Sequence, residues 1–261
     1  MSVLDRTFAT ARAEGRGVLV GYLPAGAAPD ATFTAMVSAG VDVVEVGLPY
    51  SDPVLDGPVI QEAVDRALAA GTTPADVLRT VEAVARTGAP VLVMTYWNPI
   101  EQYGVDRFAA DLAAAGGAGM ITPDLTPEEA GRWLAAAEKH QLDPVFLVAP
   151  SSTDARVARI AGLCRGFVYA TSVMGVTGAR QQTSSAAPVL VRRVRQVTDL
   201  PVGVGLGVST ADQAAEVAGY ADAVIVGSAF VRAVLDAPAG AATAAGALAA
   251  ELAEGVRRRG R

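Results

Sequence analysis

The chain has 261 residues, of which 51% are hydrophobic and 18% are charged, and its formal net charge is −6. This composition is typical of a globular protein with a large core, and the acidic balance argues against a general nucleic-acid binder. No apolar run reaches the roughly 18 residues that a membrane helix needs, so we expect no membrane span. The opening segment MSVLDRTFATARAEGRG lacks the apolar core of a secretory signal, and the single cysteine, Cys164, excludes an intrachain disulfide. Both features favour a cytoplasmic protein.

Eight short apolar runs, rich in β-branched residues, recur along the chain. Each run is too short for a helix and too continuously apolar for a strand with one wet face. Each therefore predicts a strand that is covered on both faces. The predicted strands span residues 17–24, 41–47, 90–96, 118–123, 144–150, 166–171, 201–207 and 221–227.

Ala-rich segments with helical periodicity lie between these strands. Examples are residues 30–40, 73–88, 105–117, 126–140, 153–164, 187–198 and 210–220. Several begin with Asp, Ser or Thr and end at Gly, as capped helices do. Eight strand–helix repeats predict an α/β fold, a single (β/α)8 TIM barrel domain over residues 1–261 with extra short helices. The rival is a doubly wound open sheet, but no G-x-G-x-x-G follows the first strand.

The carboxyl ends of the predicted strands are the candidate positions for chemistry, because the active sites of such barrels lie at that face. The resulting shortlist is Tyr22, Glu45, Tyr96, Asp124, Tyr169, Gly205 and Gly227, together with the loops that follow them.

Three residue types that often carry catalysis occur only once each, as Lys139, His140 and Cys164. A Schiff base, a catalytic zinc site or a Ser-His-Asp arrangement would each have to draw on these few groups. Lys139 and His140 close a helical segment, where cations are favourable, so we interpret both as structural. We expect no metal site, and we expect carboxylates and a tyrosine to be the acid–base groups.

The segment VVEVGLPYSDPVLDGP (43–58) places Glu45 within an apolar strand and Asp52 and Asp56 in the loop behind it. Three prolines restrict the shapes of this loop, which can hold Asp56 over the barrel mouth. Two carboxylates in different surroundings can divide the roles of acid and base. In the alternative reading, Glu45 is a core acid satisfied by hydrogen-bond donors and the two aspartates form turns.

Glycine-rich turns follow the last three predicted strands, within MGVTGAR (174–180), PVGVGLG (201–207) and VIVGSAF (224–230). Such loops and the following helix N-terminus commonly bind phosphate in this barrel, and Ser228 adds a hydroxyl. The alternative is that they are tight turns for strand–helix packing. With no lysine or metal to stabilise a carbanion, a phosphorylated substrate would have to supply its own electron sink, as an indole ring can.

These segments carry a resemblance to a known family. VEVGLPYSDPVLDGPVIQ resembles the signature loop of the tryptophan synthase alpha subunit, and VLVMTYWNPIEQYGVDRF, FVYATSVMGVTGAR and PVGVGLGVSTADQ resemble further blocks in the same order. The resemblance implies a lyase of tryptophan biosynthesis that cleaves indole-3-glycerol phosphate to indole and glyceraldehyde 3-phosphate. It also implies an α2β2 heterotetramer with a beta subunit that holds the cofactor PLP, and no cofactor in this chain.

The resemblance also implies site residues. Glu45 matches the proton-transferring glutamate, Asp56 the aspartate that engages the indole N–H, and Tyr169 the tyrosine beside the glutamate. Tyr22 falls where an aromatic residue contacts the indole. The positions that match phosphate-binding residues are Gly178, Gly205, Gly207, Gly227 and Ser228.

One segment departs from the family's pattern. After the first strand the family commonly has Gly, then Asp or Tyr, then Pro, whereas this chain has AGAAPD with Ala27 and Ala28 at that point. The departure bears on loop closure and on communication with a beta subunit. Two alternatives stay open: a free-standing lyase that supplies indole to another pathway, and a non-catalytic regulatory barrel that binds phosphate.

Overall fold

The computed structural model of the protein describes residues 1–171 and 186–258. Eight parallel strands pair in chain order and close into a barrel through the pairing of the first strand with the last. The strands are β1 Val18–Pro24, β2 Val43–Gly47, β3 Val91–Met94, β4 Gly119–Thr122, β5 Asp143–Val148, β6 Val168–Thr171, β7 Val202–Gly205 and β8 Ala223–Val226. All eight predicted strands and the (β/α)8 barrel are confirmed.

Twelve α-helices lie within the described part of the chain, and two of them follow each of β2, β3 and β8. This confirms the extra helices. The helices are α1 Val3–Ala13, α2 Ala31–Ser38, α3 Pro58–Ala69, α4 Pro74–Ala85, α5 Trp97–Tyr103, α6 Val105–Ala114, α7 Gly131–Lys139, α8 Asp154–Ala161, α9 Ala186–Arg195, α10 Ala211–Tyr220, α11 Ser228–Asp236 and α12 Ala241–Arg257.

Two hydrophobic layers fill the structure, because neighbouring side chains of a strand point to opposite faces. The inner layer fills the barrel and includes Val20, Leu92 and Ile121. Helix α1 closes the amino-terminal end of the barrel, where the Phe8 ring lies 5.7 Å from the Phe167 ring. The outer layer lies between the strands and the surrounding helices. The carboxyl-terminal mouth is the end of the barrel that α1 leaves open.

Several helix starts are set by the caps that the sequence predicts. Thr73 and Asp76 exchange side-chain and backbone hydrogen bonds in a capping box ahead of α4, and Thr153 and Thr210 accept from the backbone of α8 and α10. Two helix starts differ from the prediction: the Asp30 side chain makes no cap hydrogen bond to α2, and α7 begins at Gly131 rather than at residue 126. Residues 126–130 form a separate turn, in which the Glu129 N–H donates to the Thr126 carbonyl.

In the described ranges no single helix is long and apolar enough to cross a membrane. One pair, Ser228–Asp236 with Pro238–Arg257, passes by length and composition, but it is bent by 106°.

Candidate active site

Glu45 lies in the wall of the barrel mouth, on the same side of β2 as the inward-facing Val43. Only 2% of its surface is exposed, and its Oε1 atom has no hydrogen-bond partner among the residues described. Burial raises its pKa to about 8, because the charged form loses hydration. The core-acid alternative requires donors for the carboxylate oxygens of Glu45, and Oε1 has none among the residues described. The raised pKa keeps the side chain protonated at neutral pH.

Tyr22 is the strand neighbour of Glu45, since the two are register partners in the β1–β2 pairing. A β-carbon at Gly47 would lie 2.5 Å from the Tyr22 hydroxyl, and one at Gly227 would lie 3.3 Å from the ring. The two glycines therefore leave the space that the ring occupies. Burial, followed by the charges of Asp56 and Glu45, raises the pKa of Tyr22 well above its usual range. The charges of Asp56 and Glu45 both affect the Tyr22 phenol, so the two acids lie around a common space.

Tyr169 on β6 completes this ring of side chains. Burial and then the nearby Glu45 charge raise its pKa, so the phenol keeps its proton. A β-carbon at Gly205 would overlap the Tyr169 hydroxyl. Gly205 is a predicted phosphate-binding position, and in the structure it makes room for the Tyr169 side chain.

The loop between β2 and α3 holds Asp56 at the barrel mouth. The Leu55 N–H donates to the Tyr96 hydroxyl at 3.0 Å, and Gln61 Nε2 donates to the Asp56 carbonyl at 2.7 Å. Burial raises the pKa of Asp56, and a hydrogen bond from Tyr96 opposes that rise. Asp52 is exposed and accepts from the Ser51 hydroxyl at 2.6 Å, which fits a role in shaping the loop.

The glycine-rich turns after β7 and β8 lie at the same mouth. Ser228 is the first residue of α11, which follows Gly227, and the first N–H groups of a helix have no partners within the helix. Gly207 has φ +72°, a left-handed conformation that favours glycine. Together these donors form a surface suited to a phosphate. Gly178 lies outside the described residues.

The remaining candidates have structural partners. Asp124 caps the start of α5 by accepting from the Trp97 N–H at 3.0 Å, and Lys139 pairs with Asp106 at 2.9 Å, with His140 at 3.3 Å from the same carboxylate. Within residues 1–171 and 186–258, no three His, Cys, Asp or Glu side chains are grouped to hold a metal ion.

The single cysteine is also placed structurally. Cys164 is buried, and its Sγ atom accepts from the Phe146 N–H at 3.4 Å. Burial raises the pKa of this thiol to about 12, so it stays protonated at neutral pH.

The departing AGAAPD segment is held by backbone and side-chain bonds. The Ala25 N–H donates to the Gly47 carbonyl at 2.9 Å, and the Thr80 hydroxyl on α4 donates to Asp30 at 2.7 Å. Gly26 has φ +78°, and a β-carbon there would overlap the Thr72 hydroxyl. The segment is thus fixed against α3 and α4 without the side chain that the family commonly places there.

Comparisons with known proteins agree with this geometry. The family model described as Tryptophan synthase alpha chain matches residues 8–257. The chain belongs to this family. The tryptophan synthase alpha chain of Acidothermus cellulolyticus is 64% identical over 99% of this chain and 98% of its own, and that of Salinispora arenicola is 66% identical over 98% of each chain.

Solved structures give the same result. A chain of Mycobacterium tuberculosis tryptophan synthase is 55% identical, with a TM-score of 0.93 over 98% of each chain. The alpha chain of Legionella pneumophila is 34% identical, with a TM-score of 0.87 over 100% of this chain and 99% of its own. The fold of this chain is therefore that of a known tryptophan synthase alpha chain.

The sequence did not predict the contacts that Tyr96 and Gln61 make with the loop that carries Asp56. Tyr96 was on the strand-end shortlist without a role, and Gln61 lies in a helix whose register with the loop is not visible in the sequence. The signal for Tyr96 was its position after a buried strand. No pattern in the sequence links it to Leu55, which lies 41 positions earlier in the chain.

Proposed function

We propose that Glu45, Asp56 and Tyr169 are the catalytic residues with which this chain performs the tryptophan synthase alpha reaction. As an alpha chain of this family, the protein is a carbon–carbon lyase of tryptophan biosynthesis. It cleaves indole-3-glycerol phosphate to indole and glyceraldehyde 3-phosphate and works with a beta subunit in an α2β2 heterotetramer. The observation that carries the residue assignment is the buried Glu45, whose Oε1 atom has no partner among the residues described.

The first step follows from the protonation of Glu45. Its raised pKa, about 8, keeps a proton on the carboxyl at neutral pH, and this proton goes to C3 of the indole. The added proton interrupts the ring conjugation and leaves an iminium-like centre at the ring nitrogen. Asp56 accepts a hydrogen bond from the indole N–H and stabilises this charge.

The second step breaks the carbon–carbon bond. Glu45, now a carboxylate, takes the proton of the neighbouring glycerol hydroxyl, and the oxygen forms the aldehyde of glyceraldehyde 3-phosphate. The electron pair of the broken bond returns to the ring and regenerates indole. Glu45 ends the cycle protonated, and the indole ring itself serves as the electron sink, so this step draws on no cofactor. Tyr169 keeps its hydroxyl proton and bounds the space in front of Glu45.

Substrate binding is assigned to the rest of the mouth. Tyr22 contacts the indole, and the turns with Gly205, Gly207 and Gly227 and the α11 start at Ser228 bind the phosphate. Gly178 belongs to the same proposal, although it lies outside the described residues. We place the reaction in the cytoplasm, which the free, buried Cys164 supports.

The test is indole release from indole-3-glycerol phosphate by the purified chain, alone and with a tryptophan synthase beta subunit. We expect slow release alone and faster release with the partner. Equal rates in the two cases would favour the free-standing lyase. No indole in either case would contradict the proposal and would favour a regulatory barrel.

A further inference from the structure

The part of the loop directly before Asp56 is exposed to solvent. Val54 is 77% exposed and Leu55 is 46% exposed, so neither anchors the loop by burial. The polar contacts that remain are therefore important to its position. One of them comes from Tyr96, a residue at the end of β3 to which the reaction proposed above assigns no part.

We propose that Tyr96 is a positioning residue for Asp56, holding the Asp56 carboxylate over the barrel mouth through its phenol hydroxyl. The hydroxyl oxygen accepts the Leu55 N–H at 3.0 Å. A side-chain hydrogen bond from the same hydroxyl also lowers the pKa of Asp56, against the effect of burial. One hydroxyl thus binds both the backbone before Asp56 and the side chain of Asp56. The catalytic consequence of this inference rests on the function proposed for Asp56.

Tyr96 is held rigidly enough to act as an anchor. It is 6% exposed and lies at the N-cap of α5, immediately after the barrel wall. The Tyr50 ring packs on it with centroids 5.4 Å apart, and Asn98 Nδ2 donates to the Tyr50 hydroxyl at 3.0 Å. If this phenol turned away from the loop, it would lose both the Tyr50 ring contact and the bond from the Leu55 N–H.

Gln61 holds the other side of Asp56. Its Nε2 atom donates to the Asp56 carbonyl at 2.7 Å, and its own N–H donates to the Gly57 carbonyl within α3. Asp56 is therefore fixed from the barrel wall by Tyr96 and from the following helix by Gln61. The two contacts approach the same residue from different elements.

The charges around Asp56 fit this arrangement. The titratable groups that interact electrostatically around the mouth, besides Asp56, are Tyr22, Glu45, Tyr96 and Tyr169, and none of them is a cation. Burial raises the pKa of Asp56, and the hydrogen bond from Tyr96 opposes it by favouring the carboxylate. Burial and the Asp56 charge raise the pKa of Tyr96 to about 12, so its hydroxyl keeps the proton that it donates.

The first test is a double-mutant cycle with Tyr96→Phe and Asp56→Asn, assayed by indole release. Tyr96→Phe removes only the hydroxyl, and we expect kcat/KM to fall about tenfold, as for the loss of one charge-assisted hydrogen bond. In the Asp56→Asn background the same change should alter kcat/KM by less than about twofold. Additive losses would overturn the proposal, because Tyr96 would then act independently of Asp56.

The second test does not depend on activity. The Asp56 carboxyl is titrated by NMR in the protein labelled with ¹³C at aspartate, and its resonance is assigned from the Asp56→Asn spectrum. We expect a higher midpoint in Tyr96→Phe than in the wild type, because the charged carboxylate loses a donor. An unchanged midpoint would overturn the proposal even if the lyase assignment failed separately.

Tyr220→Phe is the matched control for both tests. The Tyr220 hydroxyl is also buried, but it lies at the carboxyl end of α10 and has no hydrogen-bond partner in the described part of the chain. Its removal should change neither the Asp56 titration nor kcat/KM. Thermal unfolding of both variants shows whether a loss of activity follows from a loss of folding.

Discussion

Tyr22 and Glu45 are register partners in the β1–β2 pairing and lie side by side on the inner wall of the barrel mouth. Burial raises the pKa of both groups, so both carry their protons at neutral pH. Asp56 stands on the loop across the mouth, where burial raises its pKa and a hydrogen bond from Tyr96 opposes that rise. One acid is thus set to donate a proton while the other is set to accept a hydrogen bond, which is the division of roles that the reaction requires.

The pH profile of the free enzyme should show this division. We expect kcat/KM for indole release to fall above about pH 8, where Glu45 loses the proton that C3 of the indole must receive. It should also fall at low pH as Asp56 becomes protonated. Steady-state assays over a pH series measure both limbs. If kcat/KM did not fall as the pH rose above about 8, the claim that Glu45 acts in its protonated form would be contradicted.

Glu45 should also make the folded state sensitive to pH. Its pKa is about 8 in the folded chain against 4.5 for an ordinary glutamate, so the folded state holds a proton that the unfolded state has lost between these values. The free energy of unfolding of the wild type should therefore fall as pH rises from about 4.5 to about 8. Glu45→Gln removes this contribution.

The difference in unfolding free energy between Glu45→Gln and the wild type isolates the effect. The other carboxylates are common to both proteins, so their contributions cancel. We expect the variant to gain stability relative to the wild type as pH rises through this window, measured by urea unfolding. A difference that is constant with pH would show that Glu45 titrates normally.

Asp56→Asn should separate chemistry from binding. The amide keeps the shape of the side chain but loses the charge, so we expect indole release to fall by about 10²- to 10⁴-fold. Calorimetry with glycerol 3-phosphate should show phosphate-ligand affinity within about twofold of the wild type, since the turns proposed to bind phosphate follow β7 and β8. Asp52→Asn is the matched control, because Asp52 is an exposed acid of the same loop, and it should leave the rate unchanged.

Gly207→Ala tests the phosphate turn. Gly207 has φ +72°, so a side chain there strains the backbone by about 1 kcal/mol and displaces the turn. We expect a several-fold higher KM for indole-3-glycerol phosphate. Gly88→Ala is the control, since Gly88 has φ +88° and free space but lies before β3, at the other end of the barrel. Equal KM effects would remove Gly207 from the phosphate site.

The barrel itself follows from the sequence because its eight strands are buried on both faces, which leaves continuous apolar runs. The end of the third strand was less well predicted. Residues 90–96 read as one run, but β3 ends at Met94, and Tyr96 is the N-cap of α5. The apolar pattern continues through this change, so it does not show where pairing stops.

The candidate site, like the barrel, could be predicted from the sequence only in part. Glu45 stands out in the sequence as a carboxylate within an apolar strand, and Asp56 as an acid on a proline-rich loop. The contact between Leu55 and Tyr96 could not be predicted, since it joins residues 41 positions apart and depends on the loop path. The space that Gly205 leaves for Tyr169 likewise depends on the packing between β6 and β7.

The most direct test of the central claim is indole release by Glu45→Gln in the presence of a beta subunit. Glutamine keeps the size of the side chain but can neither donate a proton to C3 nor take one from the glycerol hydroxyl. The rate should fall by at least about 10²-fold while phosphate-ligand affinity is retained. Release at the wild-type rate would contradict the assignment of Glu45 as the proton carrier.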